Sequence, residues 1–373
     1  MTDLITHLSN LTDPRSALGK RHKLAEIIII AICGIICGAD DWVMIEFFGK
    51  AKKEWFESFL SLPHGIPSHD TFGQVFSLIN PQEFEKCFLE WVQEIAIMTK
   101  GQLIALDGKT VRRSHDRTNG KAAIHLVSAW ASHNGVVMGQ VKVDDKSNEI
   151  TAIPELLKML KIEGCIISID AMGTQKEVVS TILEQKGDYL LAVKQNQGQL
   201  FQQIDFAYNL DQKNNFKDAP YDYAKTVEKN HGRIETRQCW VTSDPEYIRY
   251  VNPEGSWESL KSIVIVEATR KERDKTTSQS RYFISSLQVG AAKMLKYIRQ
   301  HWEIENKLHW SLDVAFREDE SRVRVGYAPE NLALIRKMAF NLLRQNKSKK
   351  CGAKTKRMLC GLDTNFLLEV LNF

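Results

Sequence analysis

The chain has no C-x-x-C pair. Its seven cysteines stand at 33, 37, 87, 165, 239, 351 and 360, an odd number at irregular spacing, which argues against a disulfide framework or a zinc ribbon and fits a reducing cytosol. A basic start followed by an apolar stretch is also missing, so the opening M-T-D-L-I-T-H implies no export. The most apolar run, Ile27 to Ala39, holds only thirteen residues between Glu26 and Asp40. That is short of the ~20 a membrane helix needs, and it predicts a buried helix in a protein with no membrane partner. Excess charge is scarce: 50 Lys and Arg face 46 Asp and Glu, a net +4, so any affinity for nucleic acid must be local. Internal repeats and low-complexity linkers are absent. Core material is present, with 43% hydrophobic and 26% charged residues over 373 positions, enough for two or three domains at the usual ~100–200 residues each.

Residues 1–100 read as an all-helical domain. Trp42–Phe48 and Trp55–Leu62 carry apolar residues at helical spacing, Pro63 and Pro67 punctuate, and Ser68 is a candidate N-cap before Phe72, Val75, Phe76 and Ile79. After Asn80-Pro81 another helix shows Phe84, Phe88, Trp91, Ile95 and Met98 three to four apart. From Gln102 the period changes. Leu103–Leu106, Ile124–Ala131 and Val136–Val143 are β-rich, the last two joined by His133-Asn134-Gly135, where Asn-Gly tolerates the positive φ of a hairpin. A helix over Glu149–Leu160, an apolar strand Cys165–Ile169, a helix Lys176–Lys186 and a strand Asp188–Val193 complete the order β-β-β-α-β-α-β. That order fits an α/β mixed sheet flanked by helices. Residues at about 195–285 are polar and then alternate, which predicts a β-rich insertion with strands near 227–241 and 262–268. Helical pattern resumes over Gly290–Leu312 and Asn331–Leu343, closing a catalytic domain at 101–345, and 346–373 reads as a basic tail.

Two acids stand at predicted strand ends: Asp107 closes L-I-A-L-D-G and Asp170 closes C-I-I-S-I-D-A-M-G. A carboxylate beside an apolar core needs a cation, hydrogen bonds or a solvent-facing rim; a turn or helix cap is the plainer alternative. A third acid, Glu305, shares helical spacing with Ile298, Trp302, Leu308 and His309, which predicts that it faces the sheet with this stripe. Two strand-end aspartates and a helical glutamate form a hard oxygen set suited to Mg²⁺ or Mn²⁺. Two such ions, about 3.5–4 Å apart, serve phosphoryl transfer on a phosphodiester.

The segments G-I-P-S-H-D-T-F, A-L-D-G-K-T-V-R-R-S, H-L-V-S-A-W, K-S-N-E-I-T-A-I-P, S-I-D-A-M-G-T-Q-K, Y-L-L-A-V-K-Q-N-Q, H-G-R-I-E and H-W-E-I-E-N-K-L-H-W-S-L-D-V-A-F-R-E-D resemble, in order and nearly end to end, the bacterial insertion-sequence transposases of the H-repeat-associated family. The resemblance implies an RNase H-like catalytic domain, an N-terminal helical transposase-associated domain, and a DDE triad on Asp107, Asp170 and Glu305 that binds two Mg²⁺ or Mn²⁺ ions. It further implies a cytoplasmic, nucleoid-associated transposase. Such an enzyme cuts element ends and transfers the strand to target DNA, with terminal inverted repeats and target DNA as partners and a homodimer on the DNA. A nuclease without strand transfer and a catalytically silent DNA-binding relic remain as alternatives. The wider group carries Tyr, Arg and Lys around the glutamate, where this chain has Ile298, His301 and Leu312. Asp313 and Asp319 are rival third ligands.

Cations near these acids are candidate DNA contacts, each weighed against an ordinary solvated charge. They are Lys109, Arg112 and Arg113 after the first aspartate, Lys194 and Asn196 after the last core strand, and Arg233 and Arg237 in the insertion. Arg299, His301 and Lys307 flank Glu305 and are expected to replace the missing basic signature. His125 reads as structural, and Trp302 and Trp310 as core. The tail adds Arg344, Lys347, Lys349, Lys350, Lys354, Lys356 and Arg357 with no acid between 341 and 360, a local field for salt-dependent DNA binding.

Overall fold

The computed structural model describes residues 2–16, 20–96, 100–116, 120–144, 148–217, 219–230, 232–273 and 275–371; Met98 and His231, named above, lie outside them. The chain forms two compact units, one from 1–97, 108–146 and 305–373, the other from 98–107 and 147–304. It therefore passes from one to the other directly after Asp107 and directly before Glu305. Nine strands are described: β1 (Leu103–Thr110), β2 (His125–Ala131), β3 (Val136–Lys142), β4 (Ile166–Ile169), β5 (Asp188–Val193), β6 (Asp222–Asn230), β7 (Arg233–Thr242), β8 (Ser262–Glu272) and β9 (Lys275–Ser285).

In the first unit the N-terminal helices do not stand apart. The apolar run becomes the helix Leu24–Ile36, buried almost throughout, and it packs on the C-terminal helix Ala328–Gln345. That second helix is buried on nearly every side although Asn331, Arg336, Lys337 and Asn341 lie among its buried residues, and several of these side chains find polar partners in the packing. Asn331 donates to the carbonyls of Phe76 and Ile79 at 2.9 and 3.0 Å, and Asn341 bridges the backbone N–H and carbonyl of Val137 in β3 at 2.8 and 2.9 Å. Lys337 donates to Gln140 Oε1, and the Gln140 backbone N–H donates to Glu85 Oε1 at 2.8 Å. Ser68 caps the helix His69–Leu78 as expected, accepting from the Thr71 N–H at 3.3 Å. β2 and β3 pair antiparallel across a turn in which Gly135 has φ +67°. At Gly326, φ +52°, an added Cβ would meet the Ser77 carbonyl at 2.5 Å, so glycine is required there on two counts.

The expected tail is a correction. Residues 353–371 form two helices, Ala353–Leu362 and Thr364–Leu371, that pack on each other and on the helix Ala328–Gln345. Lys356 and Arg357 are buried. Lys356 Nζ donates to the carbonyls of Leu343 and Asn346 at 2.8 and 2.5 Å, closing the end of that helix. Apolar residues at helical spacing in this stretch, Cys360, Phe366, Leu367 and Val370, are all buried; the density of lysine obscured them.

The second unit is a mixed sheet in the order β1-β4-β5-β9-β8-β7-β6. β1, β4 and β5 run parallel, and β5 to β6 form an antiparallel succession. The insertion therefore extends the core sheet instead of forming a separate one. It begins with a helix, Gly198–Lys213, that the polar composition concealed; Leu200, Ile204 and Tyr208, four residues apart, are its buried stripe. No helix among the described residues is long and apolar enough to cross a membrane.

Candidate active site

β1 pairs with β4 from Leu103↔Ile166 to Leu106↔Ile169. Asp107 and Asp170 are thus the next residues after the last matched pair of two neighbouring parallel strands, whose axes lie ~4.8 Å apart. β1 continues to Thr110, so Asp107 sits where the strand leaves the core and not at its end, as the sequence suggested.

The turn after Asp170 is tightly built. Asp170 Oδ1 accepts from the Met172 N–H at 3.0 Å, while Oδ2 has no hydrogen bond among the described residues. The plain reading, an Asp cap, therefore applies to one oxygen only. Thr174 donates to the Ala192 carbonyl at 2.6 Å, and Asn196 Nδ2 to the Ala171 carbonyl at 2.6 Å, tying this turn to the end of β5. Asn196, expected to meet DNA, thus has a structural role for its amide. His301 Nδ1 lies 2.9 Å from Ser168 Oγ. Burial pushes the imidazole down to about 4 despite the pull of Asp170, so at neutral pH it carries no charge to offer a phosphate. The expectation that His301 replaces the signature arginine as a cation is corrected accordingly.

The predicted continuous helix over 290–312 is broken. The helix Ala291–His301 ends at Trp302, a π-helical turn spans Ile304–His309, and a short helix Trp310–Val314 follows. The wider turn shifts the phase of everything after it, so the expected stripe separates. Ile298, Leu308 and His309 are buried, whereas Trp302 is 42% exposed and Glu305 is exposed. Trp310, expected in the core, is exposed too. Within the first unit Glu305 Oε2 lies 2.9 Å from His309 Nδ1 one turn on, and both can offer a ligand atom to a cation. His309 was not singled out from the sequence; a histidine four residues after the glutamate was the available signal.

The rival acids are already engaged. Lys109 Nζ lies 2.7 Å from Asp313 Oδ1 and 3.1 Å from both Glu318 Oε2 and Asp319 Oδ1. Burial disfavours the ammonium, but Glu318, Asp313 and Asp319 together raise its pKa. Glu318 is 1% exposed. Burial would raise its carboxyl, yet Lys109, Lys337 and Arg336 hold it below the usual carboxylate range. Lys109 is thus neutralised within the fold and does not extend toward solvent as a phosphate contact would. Arg112 Nε approaches Asp319 Oδ2 at 3.2 Å but stays largely exposed, as do Arg113, Lys194 and Lys307. In the insertion, Arg233 pairs with Glu235 at 2.8 Å, Arg237 with Glu228 at 3.0 Å and with Glu235, and Arg299 with Glu228 at 2.9 Å.

Asp107 and Asp170 thus follow paired residues of neighbouring parallel strands, and Glu305 lies on a distorted helix, in an α/β chain with a helical N-terminal region. The model of the transposase DDE domain matches residues 98–342, and the "DDE_Tnp_1-associated" model matches 5–92. The chain belongs to the DDE transposase family, among the H repeat-associated proteins. It is 43% identical over 372 residues to "Putative transposase YncI" of Escherichia coli O157:H7, covering 99% of this chain and 94% of that one. It is 39% identical over 372 residues to "H repeat-associated putative transposase YhhI" of Escherichia coli strain K12, covering 99% and 97%. Among solved structures, a piggyBac transposase synaptic complex with hairpin DNA aligns over all of this chain and 80% of that one, at 12% identity and a TM-score of 0.40.

Proposed function

We propose that this transposase cuts the ends of its insertion sequence and transfers the freed strand to target DNA, with Asp107, Asp170 and Glu305 holding two Mg²⁺ or Mn²⁺ ions on an RNase H-like sheet. The observation that supports the reading is the register Leu106↔Ile169 on two neighbouring parallel strands, after which Asp107 and Asp170 are the next residues, at the carboxyl edge where α/β sheets place ligands. The donors fit hard divalent ions: carboxylate oxygens dominate, and among the described residues Asp170 Oδ2 accepts no hydrogen bond. When bound, the ions supply charge stabilisation to the attacking and leaving oxygens.

The chain's own groups do the positioning. The Met172 N–H fixes the Asp170 carboxylate, and Asn196 and Thr174 fix the turn that carries it, so little reorganisation is needed when a phosphodiester arrives. Water opens the bond at the element end, and the resulting 3′-hydroxyl attacks a target phosphodiester. Exposed Arg112, Arg113, Lys194 and Lys307 are the proposed backbone contacts. Lys109 acts instead through its acids, holding the end of β1 two residues beyond Asp107.

The test is incubation of the purified chain with DNA carrying its own flanking element ends, Mg²⁺ and a target plasmid, with cut and joined products mapped. Joined products are expected for wild type, and Asp107→Ala or Asp170→Asn should lower cutting by more than about 10²-fold while duplex binding persists. Cutting without joining would leave a nuclease. An Asp107→Ala protein that still cuts would sink the assignment, and a wild type that binds DNA without cutting would mark a silent relic.

A further inference from the structure

On one face of the extension β6–β9, among the described residues, one arginine has no carboxylate partner. Directly paired residues of antiparallel strands share a face, so the register places Arg233, Arg237 and Arg270 with Glu228, Glu235 and Glu272 on one side of the sheet, and Arg281 with them. The helix Ala291–His301 packs over β6 and β7, and its Arg299 reaches Glu228 on that side. Five arginines thus meet three glutamates. Four are paired: Arg233 with Glu235, Arg237 with Glu228 and Glu235, Arg299 with Glu228, and Arg270 with Glu272 at 2.6 Å. Among the described residues Arg281 has only the Gln279 side-chain oxygen, at 3.1 and 3.3 Å, and the Trp302 ring, with its guanidinium carbon 4.7 Å from the ring centroid.

A partly buried cation without a counter-charge is costly. Burial and the nearby Arg237 both push the Arg281 pKa down, so the surroundings are electrostatically hostile to it. What the site provides is order. A guanidinium held over an indole keeps a fixed fork of donors, suited to two oxygens of one phosphate. The location is also informative: Trp302 follows His301, whose ring meets Ser168, two residues before Asp170.

We propose that Arg281, held against Trp302, is a DNA phosphate contact beside Asp170, with the phosphodiester backbone as its missing anion. This rests on the reading that the chain acts on DNA at Asp170. Wild type, Arg281→Gln, Arg281→Lys and Arg270→Gln are compared by salt titration of binding to a duplex carrying the chain's own flanking ends, in EDTA so that nothing is cut. Loss of one phosphate contact should reduce the slope of log K against log salt by about 0.9 in Arg281→Gln. Arg281→Lys should retain the slope, and Arg270→Gln should match wild type. An unchanged slope in Arg281→Gln, or an equal fall in Arg270→Gln, overturns the proposal. Should Arg281→Gln fail to fold, phenylglyoxal modification of wild type decides, because duplex must shield Arg281 and absence of shielding overturns it. Cutting in Mn²⁺ is scored separately with Asp170→Asn. Asp170-dependent cutting with an unchanged Arg281→Gln slope removes Arg281 alone, whereas a slope change without any cutting removes the cleavage reading and leaves the contact.

Discussion

Cations of the first unit and arginines of the β6–β9 face come from stretches of similar basic character, yet they end in opposite situations. In the first unit, Lys109 sits among three carboxylates, Lys356 closes two helix-end carbonyls, and Arg357 donates to the Ile35 carbonyl at 3.1 and 2.7 Å while lying 4.4 Å over the Phe316 ring and 3.4 Å from Asp40. Each is absorbed by the fold. On the β6–β9 face the glutamates fall short of the arginines and Arg281 is left over. A basic stretch alone therefore does not identify a DNA contact, and the contact proposed at Arg281 is one whose charge the surrounding structure leaves uncancelled.

The strongest way to break this contrast is Arg357→Ala. Removing a buried guanidinium that serves a carbonyl, a carboxylate and a ring should cost about 3 kcal/mol in urea unfolding, with the salt slope of DNA binding unchanged. A normal midpoint with a reduced slope would return Arg357 to the DNA-contact class. Next comes Glu318→Gln, expected to cost about 2 kcal/mol at neutral pH because Lys109 and Lys337 lose their buried counter-charge. Its pH dependence sharpens the point. The Glu318 carboxyl is depressed in the folded state, so its contribution is complete above the unfolded value of about 4.3 and disappears as pH falls through the lower folded value. Wild type should therefore lose more stability than Glu318→Gln between about pH 5 and 3; parallel curves would show that the Lys109 cage stabilises nothing.

Smaller still is Lys356→Met, which removes two bonds to helix-end carbonyls and should cost about 1–2 kcal/mol. A mutant as stable as wild type would mean that water serves those carbonyls equally well. At the bottom of the scale, Arg270→Gln breaks an exposed pair with Glu272 and should change the unfolding midpoint by less than about 0.5 kcal/mol. A larger loss would mean that the ion pairs of this face hold the extension together, and that Arg281 is an exception of bookkeeping only.

Much of the sheet was legible. β5 appears at the residues its apolar run predicted, β4 within one residue, and the Asn134-Gly135 turn joins β2 to β3, because burial on both faces and positive φ leave direct marks on residue choice. Asp107 and Asp170 were legible as acids following apolar strands. The π-helical turn at Ile304–His309 was not: one wide turn leaves no composition signal, yet Glu305 within it and Trp310 after it are exposed where burial was expected. The helix Gly198–Lys213 was missed because three buried residues in sixteen give a weak stripe.

The sequence by itself determined the family, the strand and helix periods and the identity of the acids, since these follow from local side-chain chemistry. Tertiary structure alone decided that Asp107 and Asp170, 63 positions apart, follow adjacent paired residues, and that Lys109 is cancelled while Arg281 is not. Strand register and long-range packing set which charges meet, and Coulomb energy depends on that separation and on burial, which composition does not encode.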